Sequence, residues 1–317
     1  SSAPKGDETQ DPMLIRFSSQ ENPIDWFPTA TNTAGDLRLG GGSTFVQAVE
    51  TKQQILVFTN KTLHAMKFIG PPFTFGLQEL SKNITIMSPF SAIAVEDAVF
   101  WMGVDTFYVY AGGQTVQLPC TVKDKVFLDF NFEERDKVHV GVNSEFSEIL
   151  WFYPSKSTTE IDSYVAYNYQ EKVWYYGTLA RQAWLDRGIR TLPMATGGQY
   201  LYNQEVGYDD DGSAMTNHIE SGDIDIADGD QFMSIGRFIP DFKVLTGNSK
   251  VTLLLNNYPS DTASSSPLGP FTITSSTDKV DTRARGRLLA IKIENDDVGE
   301  TWRYGTLRVD IKPDGRR

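Results

Sequence analysis

Ser91-Ala92-Ile93-Ala94-Val95, Ala98-Val99-Phe100-Trp101-Met102, Phe107-Tyr108-Val109-Tyr110 and Thr115-Val116-Gln117-Leu118 are short runs of apolar, β-branched and aromatic residues that follow one another almost without pause. Glu96-Asp97 and Ala111-Gly112-Gly113 separate them with residues that accept tight turns. Such side chains fit a pleated, half-buried surface, and runs this short suit strands rather than helices, so the stretch predicts an antiparallel meander.

The pattern extends to both sides. Upstream, Phe45-Val46-Gln47-Ala48-Val49, Ile55-Leu56-Val57-Phe58 and Thr62-Leu63-His64-Ala65-Met66-Lys67-Phe68 repeat it, with Asn60-Lys61 as a turn. Downstream come Val138-His139-Val140-Gly141-Val142, Ile149-Leu150-Trp151-Phe152-Tyr153, Ser163-Tyr164-Val165-Ala166-Tyr167-Asn168 and Val173-Trp174-Tyr175-Tyr176. A weaker set follows at Thr191-Leu192-Pro193-Met194-Ala195 and Gln199-Tyr200-Leu201-Tyr202-Asn203. Meanders of this kind recurring at about 40 residues are what the blades of a β-propeller require. Helical periodicity, with apolar residues at i, i+3, i+4 and i+7 over three turns, is almost absent.

Past Gly229 the runs lengthen and lose aromatic content, at Val251–Leu255, Phe271–Thr274, Gly286–Glu294 and Gly305–Ile311. These predict a sandwich-like module or strands that close a ring. The expected organisation of this all-β chain is a flexible segment over 1–19, a propeller-like region over 20–232 and a C-terminal β region over 233–317. Asn257–Pro270, rich in Ser and Pro, reads as a mobile loop.

The 317 residues include 29 Lys and Arg against 41 Asp and Glu, a formal charge of −12 that disfavours a general nucleic-acid-binding surface. An acidic wall suits a conduit that DNA passes without sticking, and ordinary solubility accounts for the same charge. With Cys120 alone, neither an intrachain disulfide nor a cysteine-rich zinc site is possible, and an inert buried thiol is expected. No run of eighteen apolar residues predicts a membrane-spanning segment, and the opening residues lack the hydrophobic core of a secretion signal.

Chemistry leaves little trace. His64, His139 and His218 lie far apart in strand-like settings and read as structural or surface residues. No Gly-x-Ser-x-Gly elbow, HExxH, P-loop or dinucleotide fingerprint occurs. Glu133 and Glu134 are neighbours, so on a strand they face opposite sides. Asp209-Asp210-Asp211-Gly212 and the aspartates from Asp223 to Asp230 carry enough carboxylates for calcium, yet they do not match an EF-hand and read first as solvated turns. The expectation is therefore a non-enzymatic chain with no catalytic residue, cofactor or metal.

Arg283, Arg285 and Arg287 alternate with Ala284, Gly286 and Leu288, which on a strand projects three guanidinium groups from one face. The row, with the nearby Trp302 and Arg303, is the interface or channel candidate: it suits acidic residues of a neighbouring subunit, DNA phosphate, or simple solvation. Asn295-Asp296-Asp297-Val298-Gly299-Glu300-Thr301-Trp302 resembles the Asp-box turn of sialidase-type propellers, a folding element that does not itself imply hydrolysis.

A broader resemblance rests on order. Asn22-Pro23-Ile24-Asp25-Trp26-Phe27-Pro28, Met87-Ser88-Pro89-Phe90-Ser91, Val99-Phe100-Trp101-Met102-Gly103, Leu118-Pro119-Cys120, Glu148 to Ser155, Tyr164 to Tyr169, Pro240-Asp241-Phe242, Arg283 to Arg287 and Thr301 to Gly305 together span the chain from about residue 20. In that order they resemble the tail nozzle, tail tubular or DNA-stabilisation proteins of podoviruses, the short-tailed bacteriophages. The resemblance implies a propeller-containing structural protein of the virion tail, assembled in the host cytoplasm as a six-fold ring at the distal end of the tail tube. Such a ring closes the DNA channel and retains the genome until ejection, without reading its sequence. It also implies contacts with a tail adaptor protein and with tail fibres or spikes. Members of that family are longer at the N-terminus, so the chain is expected to match their C-terminal part. The alternative readings are a carbohydrate-binding or carbohydrate-active, sialidase-like propeller, suggested by the Asp-box-like turn and the many aromatics, and a monomeric receptor or scaffold propeller.

Overall fold

The computed structural model describes residues 11–258, 267–306 and 308–316, and its contacts divide into two compact units, one through Glu205 and one from Val206. Among the described residues, nearly all regular structure is antiparallel strand.

The first unit starts with a two-stranded ribbon, β1 (Leu14–Phe17) on β2 (Gly35–Arg38). Three four-stranded meanders follow: β3 (Phe45–Glu50), β4 (Ile55–Thr59), β5 (Thr62–Gly70) and β6 (Thr74–Lys82); β7 (Ala92–Val95), β8 (Ala98–Met102), β9 (Phe107–Ala111) and β10 (Gln114–Leu118); β11 (His139–Asn143), β12 (Glu148–Tyr153), β13 (Ser163–Asn168) and β14 (Val173–Thr178). A fourth sheet has three strands, β15 (Ala183–Leu185), β16 (Met194–Gly197) and β17 (Tyr200–Asn203). Each meander pairs consecutive strands, as in a propeller blade. The turn from β9 to β10 shows why the sequence selects this path. Ala111 pairs with Gln114, and Gly112 and Gly113 between them take φ of 57° and 81°, the left-handed pair that a two-residue hairpin needs.

Blades pack face to face, and strand sequences record it. In β8, Val99 and Trp101 enter a core with Leu56, Phe58 and Leu63 of the first blade, whereas Phe100 and Met102 enter a second core with Ile149, Trp151 and Val165 of the third. In β12, Ile149, Trp151 and Tyr153 face that second core, while Leu150 and Phe152 face Trp184 of the fourth blade. A strand buried on both faces shows no polar alternation, hence the unbroken runs Ala98–Met102 and Ile149–Tyr153. The tryptophans need partners for their indole N–H groups and find backbone carbonyls: Trp101 donates to Thr85, Trp174 to Pro119 and Trp184 to Val142, at 2.8 to 3.0 Å.

The second unit holds β18 (Asp209–Asp210), β19 (Ser213–Ala214), β20 (Asn217–Glu220), β21 (Met233–Ile239), β22 (Phe242–Thr246), β23 (Ser249–Asn256), β24 (Leu268–Ile273), β25 (Val280–Gly286), β26 (Leu288–Asn295), β27 (Thr301–Tyr304) and β28 (Arg308–Pro313). One sheet runs β20-β26-β23-β24 and another β25-β21-β28, with smaller pairs β18-β19 and β22-β27. Met233, Ile235 and Phe238 of the one sheet meet Leu253, Leu289 and Ile291 of the other in a single core, so this unit is sandwich-like.

Four expectations change. The described part of the supposed flexible start is structured, since Leu14–Phe17 pairs with β2 and Met13 is buried against Leu39 and Val57. The division falls at Glu205 rather than at 232, because β20 is hydrogen-bonded to β26 and Ile224 bridges Leu289, which ties 206–232 to the C-terminal strands. A helix, α1 (Lys123–Leu128), follows β10, with Val126 fully buried. Glu133 and Glu134 lie in a 3-10 turn over Phe132–Lys137 rather than on a strand. Of the Ser/Pro-rich loop, residues 259–266 lie outside the described residues.

Candidate functional site

The first strands of successive blades adjoin in order, β3 to β7, β7 to β11 and β11 to β15. Their inner ends surround a pocket of about 590 Å³ whose walls include Gln47, Phe90, His139, Glu160, Ile161 and Trp184. Backbone clamps set this geometry. The Gln47 amide donates to the Ala92 carbonyl at 2.8 Å and accepts from the Ala92 N–H at 3.1 Å, tying β3 to β7. Val140 N–H donates to the Phe90 carbonyl at 3.0 Å, and the Ser88 hydroxyl donates to the Val138 carbonyl, tying the approach to β7 to β11.

Charge gathers at the rim. Lys137 Nζ donates to Glu160 at 2.8 Å, to Glu134 at 3.0 Å and to the Thr159 carbonyl at 2.6 Å, and its two carboxylates raise its pKa. Asp136 also lies at the rim, so carboxylates outnumber the cation. His139 is stacked on Phe152, with ring centroids 4.9 Å apart and planes 12° from parallel. Its two nitrogens are buried and make no well-formed hydrogen bond among the described residues. Burial pushes the imidazole down to about 4, opposed weakly by the nearby Lys137 backbone, so the ring is neutral near pH 7. The pocket thus offers aromatic and aliphatic walls under an acidic mouth.

The other histidines stand apart. His64 is buried in β5, 4.0 Å from Glu79, with its pKa lowered by burial, and His218 is exposed on β20. Cys120 is half-buried, and burial pushes its thiol to about 11.

In β25 Arg283 and Arg285 are exposed and alternate with buried Ala284 and Gly286, whereas Arg287 falls in the half-buried bend after the strand, so two guanidinium groups of the three share the strand face. Arg285 and Arg287 are engaged within the chain. Arg285 meets Asp314 at 2.6 Å and lies 4.0 Å from the centre of the Phe232 ring. Arg287 lies 4.9 Å from the same ring and donates to the carbonyls of Gly229 and Arg316 at 3.2 Å each. The Arg283 guanidinium makes no ion pair among the described residues. Trp302 Nε1 donates to Asn217 at 3.0 Å and its ring meets Phe242 edge-on, a packing role, while Arg303 is exposed.

The Asp-box-like turn joins β26 to β27. Asn295 is buried and donates to the Asn248 carbonyl at 3.1 Å and to Glu300 at 3.3 Å, while Glu300 accepts from the Asn248 N–H at 2.8 Å. Lys250 sits 2.6 Å from Asp296. Asp296, Asp297 and Glu300 therefore form an acidic turn already stapled by the chain's own donors. The aspartates at 209–211 and 223–230 do not join it as a close carboxylate cluster among the described residues.

Sequence reasoning missed one polar joint, between the third and fourth blades. Asn143 Nδ2 donates to Glu205 at 2.9 Å, and Glu148, hydrogen-bonded to Tyr175, lies across the β11-β12 hairpin from Asn143. Burial raises the pKa of both carboxylates, and Glu205 adds to the shift of Glu148. No spacing rule joins these residues, because they come from β11, β12, β14 and the segment after β17.

No protein-family profile and no curated protein matches the chain. Among solved structures it is similar to an exo-β-1,3-galactanase from Phanerochaete chrysosporium with bound β-1,3-galactotriose, at a TM-score of 0.30 and 6% identity over 81% of this chain and 78% of that one. The expectation of a non-enzymatic chain is withdrawn, because this solved structure is a galactanase. A likeness this distant assigns no activity. Among the described residues no helix is long and apolar enough to cross a membrane.

Proposed function

We propose that the chain is a structural subunit of the tail of a short-tailed bacteriophage, part of a ring at the distal tail tube that holds and releases the genome and offers a surface to fibres or spikes. The ordered segments from Asn22 to Gly305 support this reading, and the observation that carries it is apolar surface left in water. Phe68, Ile69 and Phe73, at the tip of the β5-β6 hairpin, are 70%, 57% and 72% exposed, and Ile24 and Phe27 are 87% and 63% exposed. Soluble monomers keep such groups scattered, whereas subunits of an assembly bury them against a partner. The test is labelling of short-tailed virions that carry this chain with gold-conjugated antibody. Label at the distal end of the tail is expected; label on the head, or none on intact particles, rejects the reading.

A second reading, a carbohydrate-binding blade unit, has one observation in its favour: the pocket at the inner strands presents Trp184 and Phe90 beside polar side chains. Saturable binding of an oligosaccharide that Trp184→Ala abolishes would favour it.

A further inference from the structure

The β5-β6 hairpin outgrows its blade. Each strand has nine residues, and β5 is buried from Thr62 to Met66 and then exposed from Lys67 to Ile69. At roughly 3.3 Å per residue, the part past Met66 reaches about 13 Å beyond the last buried position. It is held at its base, where Phe75 meets Phe17 edge-on at 4.9 Å and Phe68 at 5.9 Å, and where the Thr74 hydroxyl donates to the Thr33 carbonyl at 3.3 Å. The arm is therefore an ordered projection with an apolar end.

Its charge is as distinctive as its shape. From Lys67 to Gln78 the only charged side chain is Lys67, in a chain whose net charge is −12. The pocket at the inner strands is the complement: hydrophobic walls from Phe90, Ile161 and Trp184 under a rim where Asp136, Glu160 and Glu134 outweigh Lys137. A volume of about 590 Å³ accommodates an aromatic side chain together with its neighbours. The rim carboxylates suit Lys67, and the walls suit Phe68, Ile69 and Phe73. In the chain itself these three remain solvent-exposed, so the arm does not fill its own pocket.

We infer that the arm tip of one copy docks into the inner-strand pocket of a second copy of this chain. This rests on the ring reading and names its contact. Knob and socket are different surfaces, so the contact is heterologous, and heterologous contacts propagate around a ring instead of stopping at a two-fold dimer. The apolar tip supplies the buried centre, and Lys67 against the acidic rim selects orientation and opposes wrong pairings.

The experiment uses the full chain with Cys120→Ser as background. Phe73→Cys and Gln182→Cys place one thiol on the tip and one on the pocket wall. Mild oxidation is expected to join the two single variants into a mixed dimer and to convert the double variant into a ladder of multimers. In parallel, Ile69→Ser with Phe73→Ser changes exposed side chains and leaves the Phe68–Phe75 contact in place, so its melting curve stays that of the parent, while the concentration for half-assembly rises at least about tenfold. Rings that persist in the serine variant, or a Phe73→Cys chain that cross-links only to itself, overturn the knob-and-socket contact and leave ring assembly standing. Parent chains that stay monomeric at every concentration overturn both.

Discussion

The indole N–H of Trp151 donates to the carbonyl of Ser91 at 3.0 Å, inside a core shared by the second and third blades. Trp151 is fully buried, packed against Phe107 at 5.0 Å and Trp174 at 6.0 Å. Blade-to-blade packing in this unit therefore runs through aromatic side chains whose polar atoms are anchored to a neighbouring blade's backbone. Trp151→Ala is expected to cost about 3–5 kcal/mol through cavity formation. Trp151→Phe costs less, about 1 kcal/mol from the hydrogen bond beyond the lost ring volume, because the Ser91 carbonyl keeps the Met102 N–H at 3.2 Å. Urea unfolding followed by tryptophan fluorescence measures both.

His139 predicts acid sensitivity. Its folded pKa of about 4 lies below its ordinary 6.5, so the neutral ring contributes stability that is fully present above pH 6.5 and is lost as pH falls through 4. His139→Gln is expected to flatten the decline in melting temperature between pH 6.5 and 4. An unchanged slope would show that the ring is hydrated.

Glu148 has the opposite sign. Burial raises its pKa above the ordinary 4.5, so its contribution is fully present below pH 4.5 and is lost as pH rises through the folded value. Glu148→Gln keeps a partner for Tyr175 and removes the buried charge. The variant is expected to melt higher than the parent at pH 8 and to converge with it at pH 4, measured by differential scanning calorimetry.

Phe232 is the ring that Arg285 and Arg287 share. Phe232→Ala removes both cation–π contacts, a loss of about 1–2 kcal/mol for a partly exposed pair. Asp314→Asn removes the ion pair with Arg285 and leaves the ring contact, and costs less, about 0–1 kcal/mol, because that pair is on the surface. Thermal unfolding of the two variants separates the ring contact from the ion pair.

The blades were legible because their strands are dense in β-branched and aromatic residues and their turns carry Asn60-Lys61, Glu96-Asp97 and Gly112-Gly113. Faces were harder to read: β8 and β12 are buried on both sides, so period-two alternation vanishes where packing is tightest. Six-residue α1 is too short to show a helical period, and three-residue β15 too short to show any. Exposed β20 carries one apolar residue, Ile219, so its pairing with β26 leaves no pattern in the sequence. Of the arginine row, Arg283 and Arg285 share one face of β25 while Arg287 falls in the bend after it, and the partners of the row, Phe232 and Asp314, come from distant positions that no local pattern marks. The inner-strand pocket and the Glu148 and Glu205 joint arise only when blades meet, so they have no sequence signature at all.

Ring formation is the central claim, and the solution mass of the purified chain by light scattering across a concentration series tests it most directly. A discrete species near six times the 35.4 kDa chain, growing at the expense of monomer as concentration rises, is the predicted result. A mass of one chain at every concentration would contradict it.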